Sequence, residues 1–315
     1  MKIAILDDYQ RTVRSLADWD RLPPGSELQV FHEHIADRER LVAALEPFDV
    51  LVIMRERTPF PAELIARLPN LRLLVTTGTR NLAIDLEACK ARGIAVCGTA
   101  IGGTPTAELA WGLILALAKR IPMEDRALRA GSWQTGLTTT LTGKRLGVVG
   151  LGKLGAQVAR VGLAFSMDVV AWSQNLTDAR AAEVGVRRVD KPELFATSDV
   201  VTLHLVLGER SRGTVGAAEI GAMKSTAWFI NTARAGLVDE SALVEALAHR
   251  RIAGAGLDVF SVEPLPPDHP LRALDNTVLT PHLGYVTQEN YAVFYREALE
   301  DILAWVAGAP VRVLS

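Results

Sequence analysis

Three ionisable residues, Arg234, Glu263 and His282, are of the types that together do carbonyl chemistry. Arginine presents a planar fork that grips a carboxylate with two parallel bonds and polarises a neighbouring ketone. Histidine titrates near neutral pH and is suited to protonating a developing alkoxide. A carboxylate beside a histidine favours the charged ring and fixes its tautomer. Reduction of a 2-keto acid needs these groups in addition to a hydride. Each residue also has an ordinary reading: Arg234 as a surface or phosphate-facing arginine, Glu263 as a solvated loop residue before Pro264, His282 as a structural histidine. Spacing alone does not bring the three together.

A seat for a hydride carrier is legible upstream. Gly150-Leu151-Gly152-Lys153-Leu154-Gly155 follows an apolar run at 145–149 and precedes a helical pattern at 156–164. In that setting the first glycine permits a tight turn, the second lets the backbone approach a pyrophosphate, and the third lets the helix pack against the strand. The helix N-terminus adds free amides and a positive dipole end. Sites selective for NAD place an acid about 20 residues after this turn, at the carboxyl end of the next strand. Here that end reads Ser173-Gln174-Asn175, with no acid, and Asp168 lies at the opposite end of the strand. Both NAD and NADP therefore stand as cofactors, and NADP should be tolerated. No arginine occupies the three positions, and Arg180 reaches them only if the following loop folds back.

The elements that must hold these groups follow from the apolar pattern. Short apolar runs at 2–6, 50–54, 71–76 and 94–97 alternate with helical stretches such as 38–45 and 61–67. A second series runs through 145–149, 169–172, 199–203, 227–231, 253–257 and 278–280. Such alternation specifies parallel sheets covered on both faces, and two series predict an α/β protein with two doubly wound parallel-sheet domains. Ligands bind outside the carboxyl ends of such strands. Those ends carry Thr76, Thr77, Gly78 and Thr79, then Gly150 and Gly152, Ser173 to Asn175, His204, Asn231 to Arg234, Asp258 and His282. The stretch 102–121 reads as a buried connecting helix with Thr104 as its cap and Pro105 as its first residue. The stretch 131–143, rich in Thr and Gly, reads as a loop or an arm, and 288–306 as an amphipathic helix.

The chain has 315 residues, 49% of them apolar, 22% charged, and a net charge of -2. Its length favours two domains, and its charge offers no reason to expect a nucleic-acid or membrane partner. Cys89 and Cys97 show no metal-like spacing with histidine, so no metal and no disulfide framework are expected, and a reducing cytoplasm is the simpler location. The N-terminal run reads as a first strand and not a signal peptide.

The runs LTGKRLGVVGLGKLG from Leu141, NTARAGLVDESAL from Asn231, GAGLDVFSVEP from Gly254 and TPHLG from Thr280 resemble the D-isomer-specific 2-hydroxyacid dehydrogenase family. Weaker similarity covers RERT near Arg55, TTGTRNLAIDLEACKARGI from Thr76 and TAELAWGLILALAKR from Thr106. The resemblance implies hydride transfer between NAD(P) and C2 of a small 2-hydroxy or 2-keto acid, with D stereospecificity. It implies that Arg234 binds substrate, that Glu263 orients and tunes His282, and that His282 is the general acid/base. It implies that Asp258 contacts the nicotinamide side and that Gly78 and Thr79 lie at the cleft. The candidate cofactor contacts are Gly150, Gly152, Lys153, Leu154, Gly155, Ser173, Gln174, Asn175, His204, Thr232, Asp258 and Gly284. Candidate substrate contacts are Arg55, Gly78, Thr79, Arg234 and Tyr285. Arg55 and Arg80 suit a phosphate or second carboxylate on the substrate, or equally the protein surface.

The resemblance further implies a Rossmann cofactor domain, 102–285, inserted into a flavodoxin-like substrate-binding domain made of 1–101 and 286–315. It implies a homodimer with the connecting region and the 131–143 arm at the interface. Ala235 replaces a usual glycine, Val206 a common proline, and Ser173 a frequent acid. A dinucleotide-sensing binding protein of the corepressor type is the alternative. A formate-dehydrogenase-like enzyme would be expected to have glutamine in place of Glu263.

Overall fold

A computed structural model describes residues 1–314, which fall into two compact units. The first comprises Met1–Gly103 and the residues from Thr287 onward; the second is Thr104–Val286.

The first unit holds strands β1 (Lys2–Ile5), β2 (Glu27–Val30), β3 (Val50–Ile53), β4 (Leu73–Thr76) and β5 (Ala95–Gly98). All pair in parallel, in the order β2-β1-β3-β4-β5. This is the flavodoxin-like order, which reverses direction between β1 and β3. The sequences VLVI and LLVT of β3 and β4 are buried throughout, as central strands covered on both faces require. The helix Gln288–Val306 packs on β4 and β5 through a buried face that includes Tyr291, Phe294, Tyr295, Leu299 and Ile302. Strand β2, ELQV, was not expected from the apolar pattern. It is an edge strand of alternating, partly exposed residues, so it lacks the continuous apolar signature of its neighbours.

The second unit holds β6 (Arg145–Val149), β7 (Asp168–Trp172), β8 (Arg187–Arg188), β9 (Val200–Leu203), β10 (Trp228–Asn231), β11 (Gly254–Leu257) and β12 (Thr277–Leu279). These form one parallel sheet in the order β12-β11-β10-β9-β6-β7-β8. The chain starts in the middle at β6, winds outward through β7 and β8, then returns to β9, so the direction reverses between β6 and β9. One face is covered by the helices Pro105–Ala118 and Lys153–Ala164, the other by Lys191–Thr197, Ala217–Ala222 and Glu240–Ala248. Strand β8 has only two residues, both arginines, and leaves no apolar trace in the sequence.

Two local expectations are corrected. The helix after the glycine turn begins at Lys153, so Lys153, Leu154 and Gly155 form its first turn. Thr104 does precede the helix Pro105–Ala118, but its side chain caps nothing; the amide of Ala107 is taken by the Thr104 carbonyl instead. A further helix, Ile121–Arg129, follows. The stretch 131–143 contains no helix or strand; it is tied back by Thr139 to Ala118 and by Thr135 to Glu124. No helix among the described residues is long and apolar enough to cross a membrane.

Candidate active site

The glycine turn sits at the reversal point of the second sheet, after β6 and beside the end of β9. Gly150 has φ +101°, and a Cβ there would stand 2.8 Å from the carbonyl of His204. A Cβ on Gly155 would stand 1.9 Å from the Gly150 carbonyl oxygen, so neither position admits a side chain. Gly152 differs: a Cβ there would meet nothing within 4 Å. The backbone at the head of the helix Lys153–Ala164 thus faces open space, with no acidic residue in the first turn. That is the cradle a pyrophosphate needs. Further along the same strand ends, Thr232 is buried with an unpartnered hydroxyl, a second polar group available to a dinucleotide.

Ser173, Gln174 and Asn175 form a tight turn at the end of β7, closed by the amide of Leu176 on the Ser173 carbonyl. Asp168 opens the same strand at its other end and is bound there by Arg145, Oδ2 to Nε 2.7 Å. His204 follows β9; its Nε2 lies 2.9 Å from Thr202 Oγ1, and burial pushes its pKa down to about 4. It is a neutral imidazole at physiological pH.

Beyond β10, an Asx-type turn aims Arg234. The Asn231 side chain accepts from the amide of Ala233 at 3.0 Å and donates to the Arg234 carbonyl at 3.1 Å. Such side-chain bonds to the backbone two or three residues on are why asparagine is favoured here. Arg234 Nη1 donates to the Ala233 carbonyl at 2.7 Å.

Beyond β11 and β12 the remaining pair meets. His282 Nδ1 lies 2.6 Å from Glu263 Oε2, and the Phe260 amide donates to Glu263 Oε1 at 2.9 Å. Burial pushes the Glu263 carboxyl up. The hydrogen bond and charge of His282, the Phe260 amide and the charge of Arg234 outweigh it and hold the carboxyl below its usual range. Glu263 is therefore ionised, and Arg234 stands within its electrostatic reach. With Glu263 accepting at Nδ1, Nε2 is the ring nitrogen left for a substrate. Tyr285 is buried with its ring edge-on to His282, centroids 5.4 Å apart.

His282 occupies a left-handed backbone conformation, φ +54°. A non-glycine residue there needs surrounding structure to hold it. Asp258 provides it. Its Oδ1 accepts from Thr280 Oγ1 at 2.6 Å and from the Leu283 amide at 2.7 Å, and its Oδ2 from the Gly284 amide at 2.9 Å. Thr106 Oγ1 binds the Gly284 carbonyl at 2.7 Å. The fully buried Asp258 carboxylate thus clamps the turn that carries the histidine. Burial raises its pKa, against those hydrogen bonds and the charge of His282. This positioning role was not visible in the sequence; a polar run of the TPHLG type after a strand whose neighbour ends in Asp was the only available signal.

The remaining candidates lie on the first unit. Arg55 has φ +49°, and its amide binds Thr77 Oγ1 at 3.0 Å. Its guanidinium lies against Gly78 (φ +100°): a Cβ on that residue would stand 2.6 Å from Arg55 Nη1. Gly78 donates its amide to Thr99 Oγ1 at 2.8 Å, and Thr79 is exposed next to it. Arg55 and Gly78 thus form one group on the first unit, while Arg234, Glu263, His282 and Tyr285 belong to the second.

Residues 111–284 match the family model described as the NAD-binding domain of D-isomer specific 2-hydroxyacid dehydrogenases. The chain is 38% identical to a D-3-phosphoglycerate dehydrogenase of Archaeoglobus fulgidus, over 87% of this chain and 53% of that protein, so it spans about half the length of that relative. It is 37% identical to a glyoxylate reductase of Aeropyrum pernix, over 78% of this chain and 76% of that protein. A crystal structure of phosphoglycerate oxidoreductase from Vibrio cholerae superposes with TM-score 0.92 at 39% identity, covering 98% of this chain and 100% of the other. The chain belongs to the D-isomer-specific 2-hydroxyacid dehydrogenase family, two-domain α/β oxidoreductases that use a nicotinamide dinucleotide.

Proposed function

We propose that this chain reduces small 2-keto acids to D-2-hydroxy acids, and runs the reverse oxidation, with NAD or NADP. The observation that carries the reading is the 2.6 Å Glu263–His282 pair, with the Arg234 charge acting on the same carboxylate in the unit that bears the glycine turn. The nicotinamide, when bound, supplies or receives the hydride. Arg234 grips the substrate carboxylate and draws density from the C2 carbonyl. His282 donates the Nε2 proton to the oxygen at C2 as the alkoxide develops, and takes it back in the oxidation. Glu263 holds the ring through Nδ1, leaving Nε2 for the substrate. Gly152, Lys153, Leu154 and Gly155 offer backbone amides of the helix head to the pyrophosphate, Gly150 shapes the turn with its own amide on the Trp172 carbonyl at 2.8 Å, and Thr232 and Gly284 belong to the nicotinamide side. Arg55, Gly78, Thr79 and Tyr285 are assigned to the substrate's side chain, with Arg55 suited to a second anionic group. The relatives compared bear the names of dehydrogenases and reductases, and none favours the dinucleotide-sensing alternative.

The proposed assembly is a homodimer through the 121–137 region. Trp133 is 77% and Leu137 97% exposed, and Ile121 and Leu128 stand out beside them in sequence. Apolar side chains left this open mark an interaction surface. Sedimentation of the parent and of a Trp133→Ser/Leu137→Ser variant should give dimer and monomer respectively; a monomeric parent refutes it. The two cysteines are free and buried, which suits the cytoplasm. The activity is tested by following oxidation of NADH and NADPH with glyoxylate, hydroxypyruvate and phenylpyruvate. Turnover of at least one is expected; none with either cofactor sinks the reading.

A further inference from the structure

A cavity of about 530 Å³ lies beside the glycine turn on the second unit. Trp172, Gln174 and Asn175 line one part of it; Leu205, Glu209 and Arg210, from the loop after β9, line another. Leu205 ties it to the pyrophosphate seat, because its Cδ2 would stand 3.0 Å from a Cβ on Gly150. The cavity therefore sits where a dinucleotide held by the glycine turn puts its adenosine ribose, at the end of β7.

We infer that this chain is built to take NADP(H), with Arg210 holding the 2′-phosphate. The inference rests on the dinucleotide function proposed above. A site that selects NAD binds the ribose hydroxyls with a carboxylate at the end of this strand, and that carboxylate repels a 2′-phosphate. Here the turn offers Gln174 and Asn175, whose amide groups donate hydrogen bonds and carry no charge. Asp168 is at the wrong end of β7 and held by Arg145. Asp178, the next acid, pairs with Arg188 at 3.5 Å.

The cation comes from a place the sequence did not indicate. Arg180 is on the helix Asp178–Val184 with its guanidinium 2.7 Å from Glu183. Arg187 is likewise paired with Glu193 at 3.1 Å. Arg210, an exposed residue of the cavity wall, makes no ion pair among the described residues. A guanidinium with no carboxylate to satisfy it, next to neutral amide donors, is matched to a phosphate, which accepts two parallel bonds from the fork. Glu209 lines the same cavity and opposes the phosphate, so removing its charge should strengthen the selectivity that Arg210 creates.

Calorimetric binding of 2′,5′-ADP and of 5′-AMP isolates this contact from turnover. The parent protein should bind 2′,5′-ADP at least about tenfold more tightly than 5′-AMP, a difference near 1.4 kcal/mol. Arg210→Ala should erase the difference while leaving 5′-AMP affinity unchanged, which also shows the variant is folded. Glu209→Gln should widen it. Catalytic efficiency should follow, favouring NADPH over NADH in the parent and losing that preference in Arg210→Ala. Equal affinity for the two nucleotides, or a difference that survives in Arg210→Ala, overturns the inference and leaves the dehydrogenase reading intact. Failure of the parent to bind either nucleotide or NADH overturns both.

Discussion

Glu263 Oε2 stands 2.6 Å from His282 Nδ1, and the same carboxylate is held ionised by the Phe260 amide and by the charges of His282 and Arg234. The pair fixes which ring nitrogen can exchange a proton with substrate. His282→Ala should lower kcat by about 100- to 10,000-fold, the usual worth of a positioned acid/base. Glu263→Gln keeps a hydrogen-bond acceptor but removes the charge, and should cost less in kcat than His282→Ala. Nucleotide binding should be unchanged in both. Steady-state rates and calorimetry check this; near-normal kcat in His282→Ala removes it from the reaction.

Arg234→Lys retains a positive charge and loses the fork. Without two parallel bonds the substrate carboxylate and carbonyl are no longer held together, so kcat/KM for the keto acid should fall about 10- to 100-fold. Efficiency equal to the parent's would rule out bidentate recognition at this position.

The Asp258 clamp gives a different signature. Asp258→Ala leaves the buried amide of Gly284 without an acceptor, at about 1–3 kcal/mol, strips the part-buried amide of Leu283 of its partner as well, and frees the turn that holds His282 at positive φ. Thermal stability and kcat should fall together, kcat by tenfold or more. Loss of stability with unaltered kcat would show that the histidine holds its place without the clamp.

His204 supplies a pH dependence. Its folded pKa of about 4 lies below the ordinary 6.5 because burial disfavours the cation. Between these values the unfolded chain binds a proton that the folded chain does not. Stability is therefore full above pH 6.5 and declines as pH falls toward 4. His204→Gln should flatten that decline, seen as a smaller loss of Tm between about pH 7.5 and about pH 5. The same loss in parent and variant would place the titration elsewhere.

The parts of this site that sequence reveals are those with a backbone requirement or a charge in a fixed run. Gly150, Gly152 and Gly155 are legible because the turn admits no side chain at two of them and needs space at the third. The central strands are legible because burial on both faces forces continuous apolar runs, as in β3 and β4. Edge strands carry no such demand, which is why β2 and the two-arginine β8 escape a reading of pattern. The meeting of Glu263 with His282 depends on how two loops fold after β11 and β12, and no spacing rule encodes it. Arg210 is hidden for the same reason. It lies 35 residues beyond Asn175, and only the adjacency of the β7 and β9 loops around one cavity relates them.

The most direct test of the account is the configuration at C2 of the product. With hydroxypyruvate and a reduced nicotinamide cofactor, membership of the D-isomer-specific family predicts D-glycerate alone, read by chiral chromatography. Formation of L-glycerate or a racemate would contradict the account, as would failure to reduce hydroxypyruvate, glyoxylate and phenylpyruvate alike.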